Sequence, residues 1–231
     1  MYLSRLILNP RSRAVQRNLA RLHDLHKTIL SAFPVNLDKE ADRVLFRLDQ
    51  LRTSELHLLV QSQIVPDWSH LLKDGYLLDC DQENPAVKAI TLPVQPRQQL
   101  AFRLRANPTK RLSAGKGNTG KRIGLYALDD QVKWLERKAA DHGFAILSVM
   151  PTQQQRVEGR IPIKTNEPLV NNEENTDARK VHDAKFFSVQ FDGILQVTDP
   201  VAFLAAVLTG IGSGKAFGFG LLSLAPVNSS T

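Results

Sequence analysis

One succession of apolar patterns runs along this chain twice, and that leaves it few folds. Tyr2 to Leu8 alternates and predicts a strand, which Asn9-Pro10 ends. Ala14 to Phe33 carries Leu19, Leu22, Leu25, Ile29, Leu30 and Phe33 on one helical stripe, closed by Pro34. The period does not distinguish one helix from a short one followed by a longer one. Val44 to Leu48 and Leu56 to Gln63 predict two strands, and Pro66 to Leu72 a short helix opened by its proline. Gly75 to Leu78 and Val87 to Leu92 compete for one further strand. Beyond Pro85, Pro93 and Pro96 the order returns. Leu100 to Ala106 is a strand, and Leu128 to His142 a helix with Val132, Leu135 and Ala139 on one face and Gly143 as its stop. Phe144 to Val149 is a strand, and Phe186 to Phe191 with Ile194 to Val197 make two strands or one bent strand. Asp199-Pro200 opens a helix through Leu208, and Ala216 to Leu224 is the last strand. Each half reads β-α-β-β-α-β, the ferredoxin-like order. The expectation is an α+β chain of tandem ferredoxin-like (RRM-like) domains, residues 1–92 and 98–231, with a linker over 93–97.

Two segments stand outside this scheme. Thr165 to Asp183 is polar and aperiodic and reads as a disordered or hairpin-tip loop. Ala114 to Gly120 is glycine-rich and lies inside the most basic window of the chain. The apolar share, 42%, supports a core and excludes disorder throughout. No window approaches the ~18 continuous apolar residues of a membrane helix. The first residues lack the basic-then-apolar layout of a secretory signal. Cys80 is the only cysteine, so neither an internal disulfide nor a zinc ribbon is open to the chain. These features predict a cytoplasmic protein with no membrane partner.

The net charge of +7 is unevenly placed. Residues 1–30 net +5, residues 97–122 hold eight basic residues and no acid, and the remainder nets −6. Two basic segments on an acidic body suit a polyanion, although they also suit two solvated stretches. The run Phe102-Arg103-Leu104-Arg105-Ala106-Asn107-Pro108 puts Phe102 and Leu104 on one strand face and Arg103 and Arg105 on the other. That arginine face is either a wetted sheet surface or a place for phosphates. The tail from Gly210 to Leu222 is dense in glycine but fails both nucleotide-loop templates. Thr209 stands where a Walker loop needs glycine, and Lys215 and Phe217 stand where a dinucleotide fingerprint needs it. What remains is a tight turn whose successive N–H groups can cradle a phosphate, with Lys215 adding charge. His23 and His26 lie one helical turn apart, ~5–6 Å between β-carbons. His26 falls inside the apolar stripe and His23 at its edge, so a core histidine is the plain reading of His26.

Three blocks together resemble the CasE family of CRISPR-associated endoribonucleases. They are the opening Met1 to Leu6 with the helix bearing His26, the run Phe102 to Pro108, and the end from Gly210 to Leu224. Gln61-Ser62 followed by Pro66-Asp67-Trp68 adds to them. The resemblance implies two ferredoxin-like domains in tandem and an enzyme that binds the stem-loop of a CRISPR repeat. It implies cleavage of precursor CRISPR RNA at the 3′ base of the stem without metal or cofactor, leaving a 2′,3′-cyclic phosphate and a 5′-hydroxyl. The enzyme would then stay on its product beside the other subunits of the Cascade complex. The family's catalytic histidine falls on His26, and the tyrosine of its Tyr-x-x-His pattern is replaced by His23. Lys185, ahead of the Phe191-Asp192-Gly193 turn, is the candidate third group. Arg103, Arg105, Lys110 and Arg111 are implied as phosphate contacts, together with Lys116, Lys121 and Arg122 of the basic window. Gly212, Gly214 and Lys215 of the tail would lie against the RNA backbone.

Cutting RNA through its own 2′-hydroxyl needs a base, an acid for the leaving 5′-oxygen, and positive charge on the phosphorane. Histidine titrates near neutrality and suits either proton role, and two neighbouring histidines titrate as a coupled pair. His26 is therefore the expected principal acid or base and His23 its partner. The alternative is a repeat-RNA-binding subunit that cuts very slowly or not at all.

Overall fold

The run Tyr2–Leu8 forms β1 at the centre of a four-stranded antiparallel sheet. It lies between β3 (Leu56–Ser62) and β4 (Ala86–Ala89), with β2 (Leu45–Gln50) beyond β3. The computed structural model describes residues 1–38, 40–51, 55–73, 75–112, 120–162 and 181–227, with backbone alone at 153, 158–162 and 181–185. Strand alternation points Ser4, Leu6 and Leu8 to one face. There they pack in a core with Leu25, Ile29, Phe46, Leu58, Val60 and Trp68. The opposite face is not open to water. Ile7 and Leu45 are fully buried, Gln61 donates to the carbonyl of Val207, and Arg47 donates to Ser223 Oγ. Burial on both faces accounts for Leu6, Ile7 and Leu8 of β1, which are consecutive apolar residues and all fully buried.

The helical stripe is two helices, α1 (Arg13–Ala20) and α2 (Leu22–Leu30), broken at Arg21, whose backbone leaves the helical region (φ −136°, ψ 85°). Asn18 of α1 clasps the corner, donating to Thr28 Oγ1 of α2 and to the Tyr76 hydroxyl. The helix expected over Pro66 to Leu72 is a single 3-10 turn, Ser69–Leu71. Asp67 takes up the Ser69 N–H there, but too few residues follow to propagate a helix. Of the two competing segments, Ala86–Ala89 supplies the strand, while Leu77 makes one bridge to Leu8.

In the second half, β5 (Gln99–Ala106), α3 (Leu128–Asp141), β8 (Phe144–Pro162), β9 (Val181–Val197), α4 (Pro200–Thr209) and β10 (Leu222–Pro226) repeat the order. Their sheet runs β10-β5-β9-β8, matching the β4-β1-β3-β2 arrangement of the first. Two tandem ferredoxin-like units result. Asp199 caps α4 through the N–H groups of Val201 and Ala202, and Gly143 closes the turn after α3 at φ 74°. Trp134, Leu135 and Ala139 of α3 and Phe203 and Val207 of α4 cover Phe102, Leu104, Phe191 and Leu195.

Four expectations need correction. The strand from Phe144 runs on to Pro162, and its partner is one strand from Val181, so Val181 to Asp183 are strand rather than loop. Two bulges, at Ile146/Ser148 and Thr152/Gln155, carry the hairpin through a polar stretch where apolar alternation fails. The last strand begins at Leu222, not Ala216, because Gly214, Gly218 and Gly220 hold positive φ and Lys215–Phe217 is a 3-10 turn. A short hairpin, β6 (Thr109–Arg111) with β7 (Arg122–Gly124), also stands in the basic window, where no strand was expected. The expected loops over Ala114 to Gly120 and Thr165 to Asp183 otherwise lie mostly outside the described residues.

Candidate nucleic-acid interface

The glycine-rich tail is a closed turn wedged between the halves. Ile211 N–H donates to Gly220 O at 2.9 Å, and Gly220 N–H donates to Arg105 O at 2.8 Å, which pins the turn to β5. Glycine is required at Gly218, where φ is 81° and a β-carbon would stand 3.1 Å from the Phe46 ring. It is also required at Gly210, where a β-carbon would meet Leu45 Cδ2 at 2.7 Å. The turn therefore seats directly on β2 of the first half, and α2 packs against its Lys215–Phe217 segment.

His26 projects from α2 over Phe46, the rings stacked at 5.9 Å and 19°. It is half-buried, as is His23 one turn earlier. The helix break at Arg21 and the docking of α2 on the turn fix where this pair stands. Lys185 occupies β9 in register with Glu158, on the hairpin whose β8 strand α2 also touches.

Two clefts border the turn. One, of ≈ 600 Å³, is walled by Lys110, Arg111 and Arg122 of the β6–β7 hairpin, by Arg137, Lys138 and His142 of α3, and by Gly212, Ser213 and Lys215. No described carboxylate lines it. Burial, and then Arg43, lower the Lys215 pKa below the ordinary lysine value. The other cleft, of ≈ 880 Å³, is lined by Phe46, Leu22, Phe217, Arg105 and Arg156, with the amides of Gln50, Gln154 and Gln155.

The structure thus gathers Lys110, Arg111, Arg122, Gly212 and Lys215 around one cleft, and Gly214 lies at the start of the same turn's 3-10 segment (φ 83°). Lys121 is exposed on the hairpin, its carbonyl accepting from Leu112, and Lys116 lies outside the described residues. The two arginines of β5 are placed apart from this group. Arg103 is in a bidentate pair with Asp192 (2.6 and 3.2 Å), which raises its pKa. Arg105 donates to Ser188 Oγ and to Leu48 O across the seam between the halves, and burial lowers its pKa. Arg137 and Lys138 were missed from sequence. Their signal was helical spacing, since Trp134, Arg137, Lys138 and His142 follow one face of α3.

A family model described as CRISPR associated protein matches residues 1–226. The chain belongs to the CasE family. It is 38% identical to the CRISPR-associated endoribonuclease Cse3 of Thermus thermophilus, over 98% of this chain and all of that one. It is 30% identical to the CRISPR system Cascade subunit CasE of Escherichia coli, with the same coverage. A solved structure of Thermus thermophilus Cse3, bound to an RNA representing a pre-cleavage complex, superposes with a TM-score of 0.78 and 34% identity. That match covers 97% of this chain and 98% of the other. Among the described residues, no helix is long and apolar enough to cross a membrane.

Proposed function

We propose that this chain is a metal-independent endoribonuclease that binds the stem-loop of CRISPR repeat RNA and cuts precursor CRISPR RNA at the 3′ base of the stem. The observation that carries the reading is the convergence on one glycine-rich turn of an acid-free cationic cleft and a helix bearing two histidines. A duplex backbone needs a row of cations, and the cleft supplies six lysine and arginine side chains from the hairpin, α3 and the turn, of which Lys138 is also paired with Asp141. The second cleft, aromatic and amide-rich beside α2, suits an unpaired base stacked on Phe217 or Phe46.

In this reading the 2′-hydroxyl of the nucleotide before the cut attacks the phosphorus, and the 5′-oxygen leaves. His26 takes or gives the proton at one of these oxygens, and His23 serves the other. Lys185 places positive charge on the phosphorane. The products are a 2′,3′-cyclic phosphate and a 5′-hydroxyl, and the attacking group comes from the RNA, so no cofactor is called for. The enzyme keeps the stem of its product and joins the other Cascade subunits in the cytoplasm. Support for that assembly comes from the relative named as a Cascade subunit, aligned along its whole length.

The test is single-turnover cleavage of the host repeat RNA in EDTA. Wild type, His26→Ala and a substrate with one 2′-deoxy at the cut are compared, with binding measured in parallel. Cutting slowed about 10²–10⁴-fold by His26→Ala and abolished by the 2′-deoxy, with binding kept, is the expected result. Tight binding with no cutting by wild type would instead establish a repeat-RNA-binding subunit.

A further inference from the structure

Arg43 lines neither of the two clefts. It lies two residues ahead of Leu45, on the seam where Leu45 meets Gly210. Its Nε is buried, and no described residue accepts a hydrogen bond from it. The described ion pairs leave it out as well. Its charge bears on Lys215, whose ammonium is disfavoured first by burial and then by Arg43. The turn explains the proximity. A β-carbon at Gly210 would touch Leu45 and approach the Gly220 carbonyl, and one at Gly220 would lie 3.5 Å from Lys215 Cγ. β2 packs on the Lys215–Phe217 segment directly.

Two cations near one another, one with a buried Nε from which no described residue accepts, make an arrangement that folding alone does not favour. Burying a polar donor without a partner is costly, and a second like charge adds to the cost. Arg47 shows how the same seam treats a guanidinium that serves structure, since it is 3% exposed and fully engaged by Asp49 and Ser223. Among the described residues Arg43 has no such counter-charge, and Lys215 also lines the basic cleft.

We infer that Arg43 and Lys215 form an anion subsite that holds one phosphate of the bound RNA at the seam between the halves. The inference rests on the proposed RNA function and assigns Arg43 a positioning role within it. The subsite is built across both halves, Arg43 from the first and Lys215 from the second. The phosphate it grips is thereby referenced to the turn on which α2 and His26 are seated.

Three measurements on the full chain test it, using wild type, Arg43→Gln and Arg43→Lys. In phosphate-free buffer, Arg43→Gln is expected to melt at or above wild type, because it removes an uncompensated cation. Inorganic phosphate at constant ionic strength is expected to raise the wild-type Tm by about 2–3 °C at ten times its Kd, with that increment absent in Arg43→Gln. Repeat-hairpin RNA is expected to bind Arg43→Gln at least about tenfold more weakly. The slope of log K against log salt should become shallower by about 0.7–0.9, and Arg43→Lys should restore that slope. A melting temperature lowered by Arg43→Gln, with the phosphate increment and salt slope unchanged, would make Arg43 a structural residue and overturn the inference. If wild type itself does not prefer the hairpin RNA, the functional reading falls, and the RNA assignment of the subsite falls with it. The phosphate melt separates the two failures, because it uses no RNA.

Discussion

Arg47 donates across the seam to Ser223 and pairs within its own strand with Asp49, and removing it should show how much this buried network is worth. Its guanidinium is 3% exposed and donates from Nε and Nη2 to both oxygens of Asp49, and from Nη1 to Ser223 Oγ at 2.8 Å. Asp49, whose side chain is 12% exposed, also attracts Arg103 and Arg105. Breaking a buried pair by deleting one partner costs about 3–5 kcal/mol. Arg47→Ala leaves behind the slightly wetter partner, which still has Arg103 and Arg105 nearby, so the low end of that range, about 3 kcal/mol, applies. With an unfolding entropy of about 0.5 kcal/mol/K for a chain of this length, Tm falls by about 6 °C. Asp49→Ala strands the more buried cation and should cost more, about 4–5 kcal/mol. The assay is thermal unfolding in phosphate-free buffer, with urea unfolding as a check. A drop under about 2 °C for Arg47→Ala, or a smaller effect for Asp49→Ala than for Arg47→Ala, would refute the view that this buried pair beneath the seam is a main support of the folded chain.

Other expectations are more local. Gly218→Ala requires a side chain at φ 81° and a β-carbon 3.1 Å from Phe46, so it should cost about 1–2 kcal/mol and slow RNA cleavage by shifting the ring beneath His26; unchanged single-turnover rates would remove Phe46 from the site's support. With a double-histidine site, the pH–rate profile for cleavage should be bell-shaped and His23→Tyr should alter one limb; an unaltered profile would leave His23 a positioning or base-stacking residue. Lys215 is held below its ordinary pKa, so the folded state binds fewer protons there than the unfolded chain. It therefore opposes folding at neutral pH, and its cost is relieved as pH rises toward the ordinary lysine value. Lys215→Met should accordingly melt higher than wild type at pH 7, with the gap narrowing in alkaline buffer; a constant gap would contradict the burial argument.

The fold was legible where one face of an element meets one core. The alternation of β5 and the capping of α4 by Asp199 were readable because local pattern and tertiary contact agree there. The far part of the β8–β9 hairpin was not readable, since Thr152 to Arg156 offers polar residues to a bulged ladder rather than apolar ones to a core. The final strand misled for the opposite reason. Phe217, Phe219 and Leu221 have a strand's alternation, but glycines at positive φ turn those residues into a wedge between the halves. At the site, Lys110, Arg111 and Arg122 stood out as a run of charge. Arg137 and Lys138 did not, because lysine and arginine on a helix usually face only solvent. The arginines of β5 had the right chemistry for phosphate, yet one is matched to Asp192 and the other spans the seam. Such partners lie some 57 to 89 residues away in sequence, beyond any local pattern.

The first sheet is covered on its outer face by residues that come very late in the chain. Val207, Gly210 and Ser223 close over Gln61, Leu45 and Arg47. A ribosome adding roughly 5–20 residues per second takes about 8–30 s to travel from Gln61 to Ser223. Throughout that interval the nascent first half presents Leu45 without the Gly210 turn that seats on it, and Gln61 and Arg47 without their acceptors in the second half. Chaperone demand during synthesis should thus be concentrated on this one face, and truncated products ending before Val207 should be recovered as aggregates rather than as a small folded domain.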